Sequence, residues 1–348
     1  MQRFKFLRDP DPSLAGVDAA DFLGRLGQPS CLFFTGRDPS RTRALVTLLH
    51  GNEPSGLMAV QRWLSLGQTP AVNLLCIVAS VHAALATPIF SHRMLPRARD
   101  LNRCFKAPFD DEQGRLAEEI LELLRLHRPE AVIDMHNTSG SGPSFGVCTH
   151  VDRQHDALTS LFTRRLIVSR IRLGALMEIS DERCPTVTIE VGGRLDDEAH
   201  ALAFDGLCRY ADAERVLAAD DPPDWGLELL DDPVRLELRD GVTLAYGESP
   251  VAGHDITLRR DIEHHNFGSV HCDTPLGWIN GAVRELFLAI NSSGKCALDA
   301  VVREDRGVLY PAQSLKLFMI TTNAHIAETD CLFYAVADDG LPLRSSLD

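Results

Sequence analysis

The sequence predicts an α/β protein, in which a mostly parallel or mixed sheet flanked by helices precedes a smaller β-rich C-terminal domain. Three observations predict it. Short apolar runs alternate with helix-periodic segments between residues 31 and 217, the pattern of strands joined by crossover helices. Two of those runs end in a histidine, His50 and His136, and a third ends in Glu190. After Ala219-Asp-Asp-Pro-Pro-Asp224, which reads as a linker, short strands alternate with turn signals at Asp240-Gly, Asn280-Gly and Asp339-Gly. The expected domains are therefore residues 1–220 and 225–348.

Taken in order, residues 1–30 read as an irregular lead-in with a short helix around Asp18–Leu26. Cys31–Phe34 is a strand, and Leu45–Leu49 is the apolar end of another, delivering His50 to its carboxyl end. Gly51 is expected to let the backbone turn sharply. Pro54 suits the start of a helix reaching Leu66, with Leu57, Val60, Trp63 and Leu64 on one face. Val72–Ser80 is nearly all apolar, as befits a strand covered on both faces. An arginine-rich loop, Arg93–Arg103, separates it from the best helical pattern, Asp111–Leu126, whose Leu116, Ile120 and Leu124 form a core stripe and which Pro129 stops. Then come a strand at Ala131–His136, a glycine-rich loop over 139–146, a β-like Phe145–Thr149, a helix over Asp156–Ser169, a strand at Pro185–Glu190 and a long helix over Asp196–Leu217.

Composition bounds the function. At 348 residues, 45% hydrophobic and 24% charged, the chain has the make-up of an ordinary globular protein large enough for two domains. A formal charge of −14 argues against nucleic acid or an acidic membrane as partner, but leaves room for a basic pocket that takes a small anion. The 9 cysteines form no C-x-x-C pair and read as reduced thiols of a cytoplasmic protein. The first residues are too polar for a signal peptide, and no apolar run approaches the roughly 18 residues of a membrane span. A homo-oligomer stays open.

The strand ends carry the candidate chemistry. His50-x-x-Glu53 alone is a common arrangement, but parallel strands place their carboxyl ends on one edge of a sheet, so His136 can converge on the pair. Two histidines, a glutamate and a water form a known catalytic zinc set. Asp134 is a candidate acceptor for a ligand histidine, although its side chain is expected on the opposite face of the strand. Glu190, desolvated at a strand end, suits a general base; an ion pair with Arg194 is an equal alternative. Arg93, Arg97, Arg99 and Arg103 read either as a solvated basic face or, at Asn102-Arg103, as a grip on a carboxylate. Three competing signals are weaker. Gly142-Pro-Ser144-Phe-Gly146 lacks the strand-to-helix setting of a nucleophile elbow. Gly51–Gly56 lacks the Lys and Ser/Thr of a P-loop, and His264, His265 and His271 fit no standard metal spacing.

His50-Gly-Asn-Glu53-Pro-Ser-Gly, Asp100-Leu-Asn-Arg103-Cys-Phe, Ile133-Asp-Met-His136-Asn-Thr and Thr188-Ile-Glu190-Val-Gly occur in that order. Together they resemble the succinylglutamate desuccinylase/aspartoacylase family, which is similar in fold to the zinc carboxypeptidases; His136-Asn-Thr resembles the aspartoacylase branch. The resemblance implies one Zn²⁺ per chain on His50, Glu53 and His136, with Glu190 as catalytic carboxylate and Asn102 and Arg103 holding a substrate carboxylate. It also implies an arginine that polarises the scissile carbonyl. The family places it seven residues before the asparagine, where this chain has Leu95, so Arg93 is the candidate, with Arg97 and Arg99 as alternatives. The expected function is a cytoplasmic zinc-dependent amidohydrolase, a deacylase of N-acyl amino acids or related small amides. A carboxypeptidase acting on peptides and a catalytically silent carboxylate-binding protein are the alternatives.

Overall fold

The computed structural model describes residues 4–138, 142–219, 223–320, 322, 324–329 and 331–343. Part of the expected glycine-rich loop (139–141) and part of the expected linker (220–222) lie outside the described residues. The chain divides into two compact units, one of Met1–Leu166 with Arg172–Leu227 and the other of Ile167–Ile171 with Glu228–Asp348.

The first unit contains strands β1 (Lys5–Arg8), β2 (Ser30–Phe34), β3 (Asp38–Thr47), β4 (Val72–Val78), β5 (Val132–Thr138), β6 (Phe145–Cys148), β7 (Arg165–Val168) and β8 (Thr186–Gly193). Its main helices are α1 (Ala19–Leu26), α2 (Ser55–Ser65), α3 (Val81–Leu85), α4 (Glu112–His127), α5 (Arg153–Ser160) and α6 (Asp197–Asp212). Strand β7 is divided between the units. The others run in the order β1-β2-β4-β3-β5-β8-β6. The centre of this mixed sheet is parallel: β3 pairs with both β4 and β5, and β5 with β8. Strands β2 and β6 run antiparallel to their neighbours β4 and β8.

Burial follows the sequence pattern. Leu45, Ile133 and Ile189 join Leu57, Val60 and Trp63 of α2 and Leu207 and Tyr210 of α6 in one apolar cluster. Ala44, Val46 and Val132, which alternate with them along the strands, join Leu116, Ile120 and Leu124 of α4 in another. Period-two alternation sends successive strand residues to opposite faces, so central strands covered by helices on both sides carry apolar residues on both faces. Helix α4 begins where Asp111 Oδ1 accepts the Gly114 amide at 2.7 Å, satisfying one of the free N–H groups of its first turn.

Two expectations are corrected. The helix expected over Asp156–Ser169 is two elements: α5 ends at Ser160, and Leu166-Ile-Val168 belongs to β7. The β-branched pair there favours the strand, although the apolar spacing continued that of the helix. The lead-in expected to be irregular contains β1, which pairs in parallel with β2. Four residues at a sheet edge are too few to show a period.

The second unit is rich in short strands. One of its sheets orders Gly268–Val270, Leu315–Phe318, Phe333–Ala337, Val234–Leu238 and Phe287–Ile290. The other orders Leu244–Gly247, Ile256–Arg259, Gly277–Ile279, Val308–Pro311 and Val302–Asp305. Leu236, Ile256, Phe287, Leu309 and Phe333 belong to its apolar core. Among the described residues, no helix is long and apolar enough to cross a membrane.

Candidate active site

Strands β3, β5 and β8 are adjacent and parallel, so their carboxyl ends share one edge of the sheet. Strand β3 stops at Thr47, Leu48 takes a left-handed conformation (φ 57°), and the chain turns so that the Glu53 amide donates to the His50 carbonyl at 3.2 Å. His136 and Glu190 are register partners near the ends of β5 and β8. Gly51 acts through space and not through a special φ: a Cβ there would meet the backbone of Ala83, Ala84 and His92 at 2.6–2.7 Å. Its amide donates to the Arg93 carbonyl at 2.9 Å, which docks the arginine loop against the His50 turn.

One carboxylate joins the two imidazoles. Glu53 Oε1 lies 2.8 Å from His50 Nδ1, and Oε2 lies 2.7 Å from His136 Nδ1. All three residues are buried. The far nitrogens also face carboxylates, His50 Nε2 meeting Asp100 Oδ1 at 2.8 Å and His136 Nε2 lying 3.0 Å from Asp134 Oδ1. Asp134 thus shares a face with His136, contrary to expectation, because residues two apart on a strand point the same way. Thr188 Oγ1 fixes its other oxygen by donating at 3.0 Å.

The arginine loop divides its members. Arg93 reaches the site, with Nη2 2.9 Å from Asp100 Oδ2 and Nη1 3.5 Å from Glu53 Oε1. Arg99 instead pairs with Asp111, and Arg97 is exposed with φ 68°. Asn102 is buried next to the imidazoles, Nδ2 lying 3.4 Å from His136 Nε2 while Oδ1 accepts the Leu176 amide at 2.9 Å. Arg103 is partly exposed and donates Nη1 to the Asn102 carbonyl at 2.8 Å. Glu190 is partly exposed as a residue, but its Oε2 is buried and has no hydrogen-bond partner among the described residues. Arg194 donates to the Phe90 carbonyl at 2.9 Å. Ser144, of the rival nucleophile motif, donates to Thr163 Oγ1 at 3.0 Å.

Electrostatics follow from this geometry. Burial opposes a charge on His50, but Glu53 and Asp100 outweigh it and raise its pKa. Burial likewise opposes a charge on His136, and Asp134 with Glu53 holds it well above the ordinary histidine value. Burial would raise Glu53, yet the two imidazoles keep it well below the carboxylate range. Glu190 goes the other way: burial pushes it up to about 7. Arg93 stays charged because Glu53 and Asp100 outweigh its desolvation.

The donor set suits a metal. His50, Glu53 and His136 each offer a ligand atom, all within 4.8 Å of one another. Two imidazole nitrogens and one carboxylate oxygen, with further carboxylates behind the imidazoles, match catalytic zinc sites in donor chemistry and in the groups that orient the ligands. Sequence reasoning gave no role to Asp100 or Asn137. Asp100 stood out only as an acid among arginines. Asn137 spans the site: its Oδ1 accepts the Ser55 amide at 3.0 Å, and its Nδ2 donates to Ser55 Oγ at 2.7 Å and the Gly192 carbonyl at 2.9 Å.

Residues 39–204 match the family described as the succinylglutamate desuccinylase/aspartoacylase catalytic domain. No curated protein sequence matches the chain. Among solved structures, a succinylglutamate desuccinylase from Vibrio parahaemolyticus superposes with a TM-score of 0.56 at 16% identity, over 89% of this chain and 86% of that one. A succinylglutamate desuccinylase/aspartoacylase from Rhodobacter sphaeroides gives 0.52 at 15% identity, with 84% of each chain covered. Murine aminoacylase 3 gives 0.51 at 18% identity, over 86% of this chain and 96% of that one. These likenesses show a shared fold, and the family match spans residues 39–204, the stretch that contains His50, Glu53, His136 and Glu190. Over residues 39–204 the chain matches the catalytic domain of the succinylglutamate desuccinylase/aspartoacylase family.

Proposed function

We propose that the protein is a zinc-dependent amidohydrolase that removes the acyl group from an N-acyl amino acid or a related small carboxylate-bearing amide. The observation that carries this reading is the single buried carboxylate of Glu53 with an imidazole nitrogen on each oxygen, set beside the raised carboxyl of Glu190. His50, Glu53 and His136 are the residues that hold the metal. Bound there, zinc supplies Lewis acidity and makes water a stronger acid.

Everything else is done by side chains. Glu190 takes a proton from the attacking water and delivers it to the amine as the C–N bond breaks, leaving a carboxylate and a free amine. Arg93, held charged by Glu53 and Asp100, offsets the negative charge that develops on the carbonyl oxygen. Arg103 and Asn102 hold the substrate carboxylate, the guanidinium through paired hydrogen bonds. The bracing of Asn102 by Leu176 supports a fixed, preorganised contact. The nine cysteines are all free thiols, which supports a cytoplasmic location.

The relatives' names, desuccinylase, aspartoacylase and aminoacylase, point to acylated amino acids as the substrate class. The test is a panel of N-acetyl and N-succinyl amino acids incubated with the zinc-loaded protein and assayed for free amine. Release from at least one member, blocked in Glu190→Gln, is expected; no release from any member contradicts the assignment.

A further inference from the structure

A second cluster repeats the arrangement of the first. Asp152 Oδ2 lies 3.0 Å from His150 Nε2, and Asp152 Oδ1 lies 2.8 Å from His155 Nδ1. One carboxylate again carries an imidazole nitrogen on each oxygen. The ring centroids are 4.5 Å apart, against 5.0 Å for His50 and His136. The three ligand atoms lie within 4.8 Å of one another. We propose that His150, Asp152 and His155 form a second binding site for a divalent transition-metal ion such as Zn²⁺, separate from the candidate active site.

Helix capping explains only part of this cluster. Asp152 Oδ1 accepts the amides of Gln154 and His155 at 2.8 and 2.9 Å and so caps α5. That role uses neither Oδ2 nor the two imidazoles. The groups behind the imidazoles suit metal ligation: His155 Nε2 lies 2.8 Å from Ser180 Oγ, and His150 Nδ1 lies 3.0 Å from Thr149 Oγ1. An oxygen behind each ring can accept the proton of the non-ligating nitrogen and fix the ring's orientation. Two nitrogens and one carboxylate oxygen favour zinc and its neighbours over Mg²⁺ or Ca²⁺, which take oxygen ligands.

The burial gradient completes the argument. His155 is fully buried and Asp152 half-buried, while the His150 side chain is 47% exposed, so an ion there keeps a face open to water. The place in the fold separates the sites. Strand β6 starts beside Glu190, with Phe145 as its register partner, and runs antiparallel to β8. His150, just past the end of β6, therefore lies towards the other end of β8 from Glu190, about 13 Å away for the four residues back to Thr186.

Metal content tests this without reference to turnover. Full-length protein is stripped with a chelator, equilibrated with Zn²⁺, desalted and measured by mass spectrometry of the metal, alongside isothermal titration with Zn²⁺. The expected results are two equivalents for the wild type and one for His136→Ala. One equivalent is also expected for His150→Ala and for Asp152→Asn, and none for His136→Ala with His150→Ala. Asp152→Asn keeps a side-chain oxygen for the α5 cap, so an unchanged Tm with one equivalent lost separates ligation from folding. A wild type with a single equivalent that is lost in His136→Ala and kept in His150→Ala overturns the proposal. So does a second equivalent that survives in both His150→Ala and Asp152→Asn. Failure of zinc binding at His136 alone would instead count against the proposed active site, and leaves this one standing.

Discussion

Glu190 is a side chain whose proposed chemistry depends on its surroundings. Burial pushes it up to about 7, so it is protonated and unable to act as a base below that pH, and ionised above it. The rise of kcat/KM with pH should therefore have its acid limb near that value. Glu190→Gln should retain the metal and lose about 10²–10⁴-fold in kcat; near-normal turnover would remove the residue from the mechanism. Arg103→Ala should raise KM for carboxylate-bearing substrates and leave kcat nearly intact, and steady-state kinetics showing an unchanged KM would place the anion pocket elsewhere. Asp134→Asn should weaken metal binding by about 10–100-fold in competition with a chromophoric chelator, because His136 loses the carboxylate behind it; undiminished affinity would contradict that role. His50, Glu53, His136 and Glu190 were legible in the sequence, since each sits at or just past an apolar strand end or within one turn of it. Asp134 was misplaced by one pleat. Asp100 and Asn137 were missed because their partners come from segments far away in sequence, and no local pattern announces a hydrogen bond of that kind.

At the scale of elements, the site exists because β3, β5 and β8 are neighbours with the same direction. The alternation of strands and helices predicted parallel strands, but strand order is a property of packing that spacing does not encode. Helix α4 was readable from its apolar stripe and the Pro129 stop, and the structure adds the Asp111 cap. The segment after α5 was not, because the apolar spacing of a helix ran on into a four-residue strand. One tie holds the ladder to the helical layer: the fully buried Arg43 of β3 donates Nε to Glu130 at 2.7 Å and Nη1 to the carbonyls of Tyr210 and Ala213 at 2.7 and 2.6 Å. Removing the guanidinium leaves the Tyr210 and Ala213 carbonyls without this donor and Glu130 with Arg41 alone, so Arg43→Met should cost about 2 kcal/mol in urea unfolding. A loss below about 1 kcal/mol would show that the carbonyls and Glu130 find other partners or water.

At the scale of the molecule, a first unit with a mixed sheet carries every proposed catalytic group, and a second unit of short strands contains most of the chain after residue 227. Composition argued against nucleic acid or an acidic membrane as partner without locating anything: a charge of −14 coexists with Arg93 and Arg103 near Asp100 because net charge averages over a surface while a pocket is local. The motifs carry the proposed function further than the composition does, since four short stretches in a fixed order name candidate donor atoms. The central claim is that hydrolysis depends on a metal held by His50, Glu53 and His136, and chelation with restoration tests it most directly. Amine release from the best substrate is followed in the native protein, after stripping, and after adding back one equivalent of Zn²⁺ at a time, with His136→Ala in parallel. The account predicts loss of turnover on stripping, recovery with zinc in the wild type, and no recovery in His136→Ala. Full turnover by the stripped protein, or by His136→Ala, would contradict it.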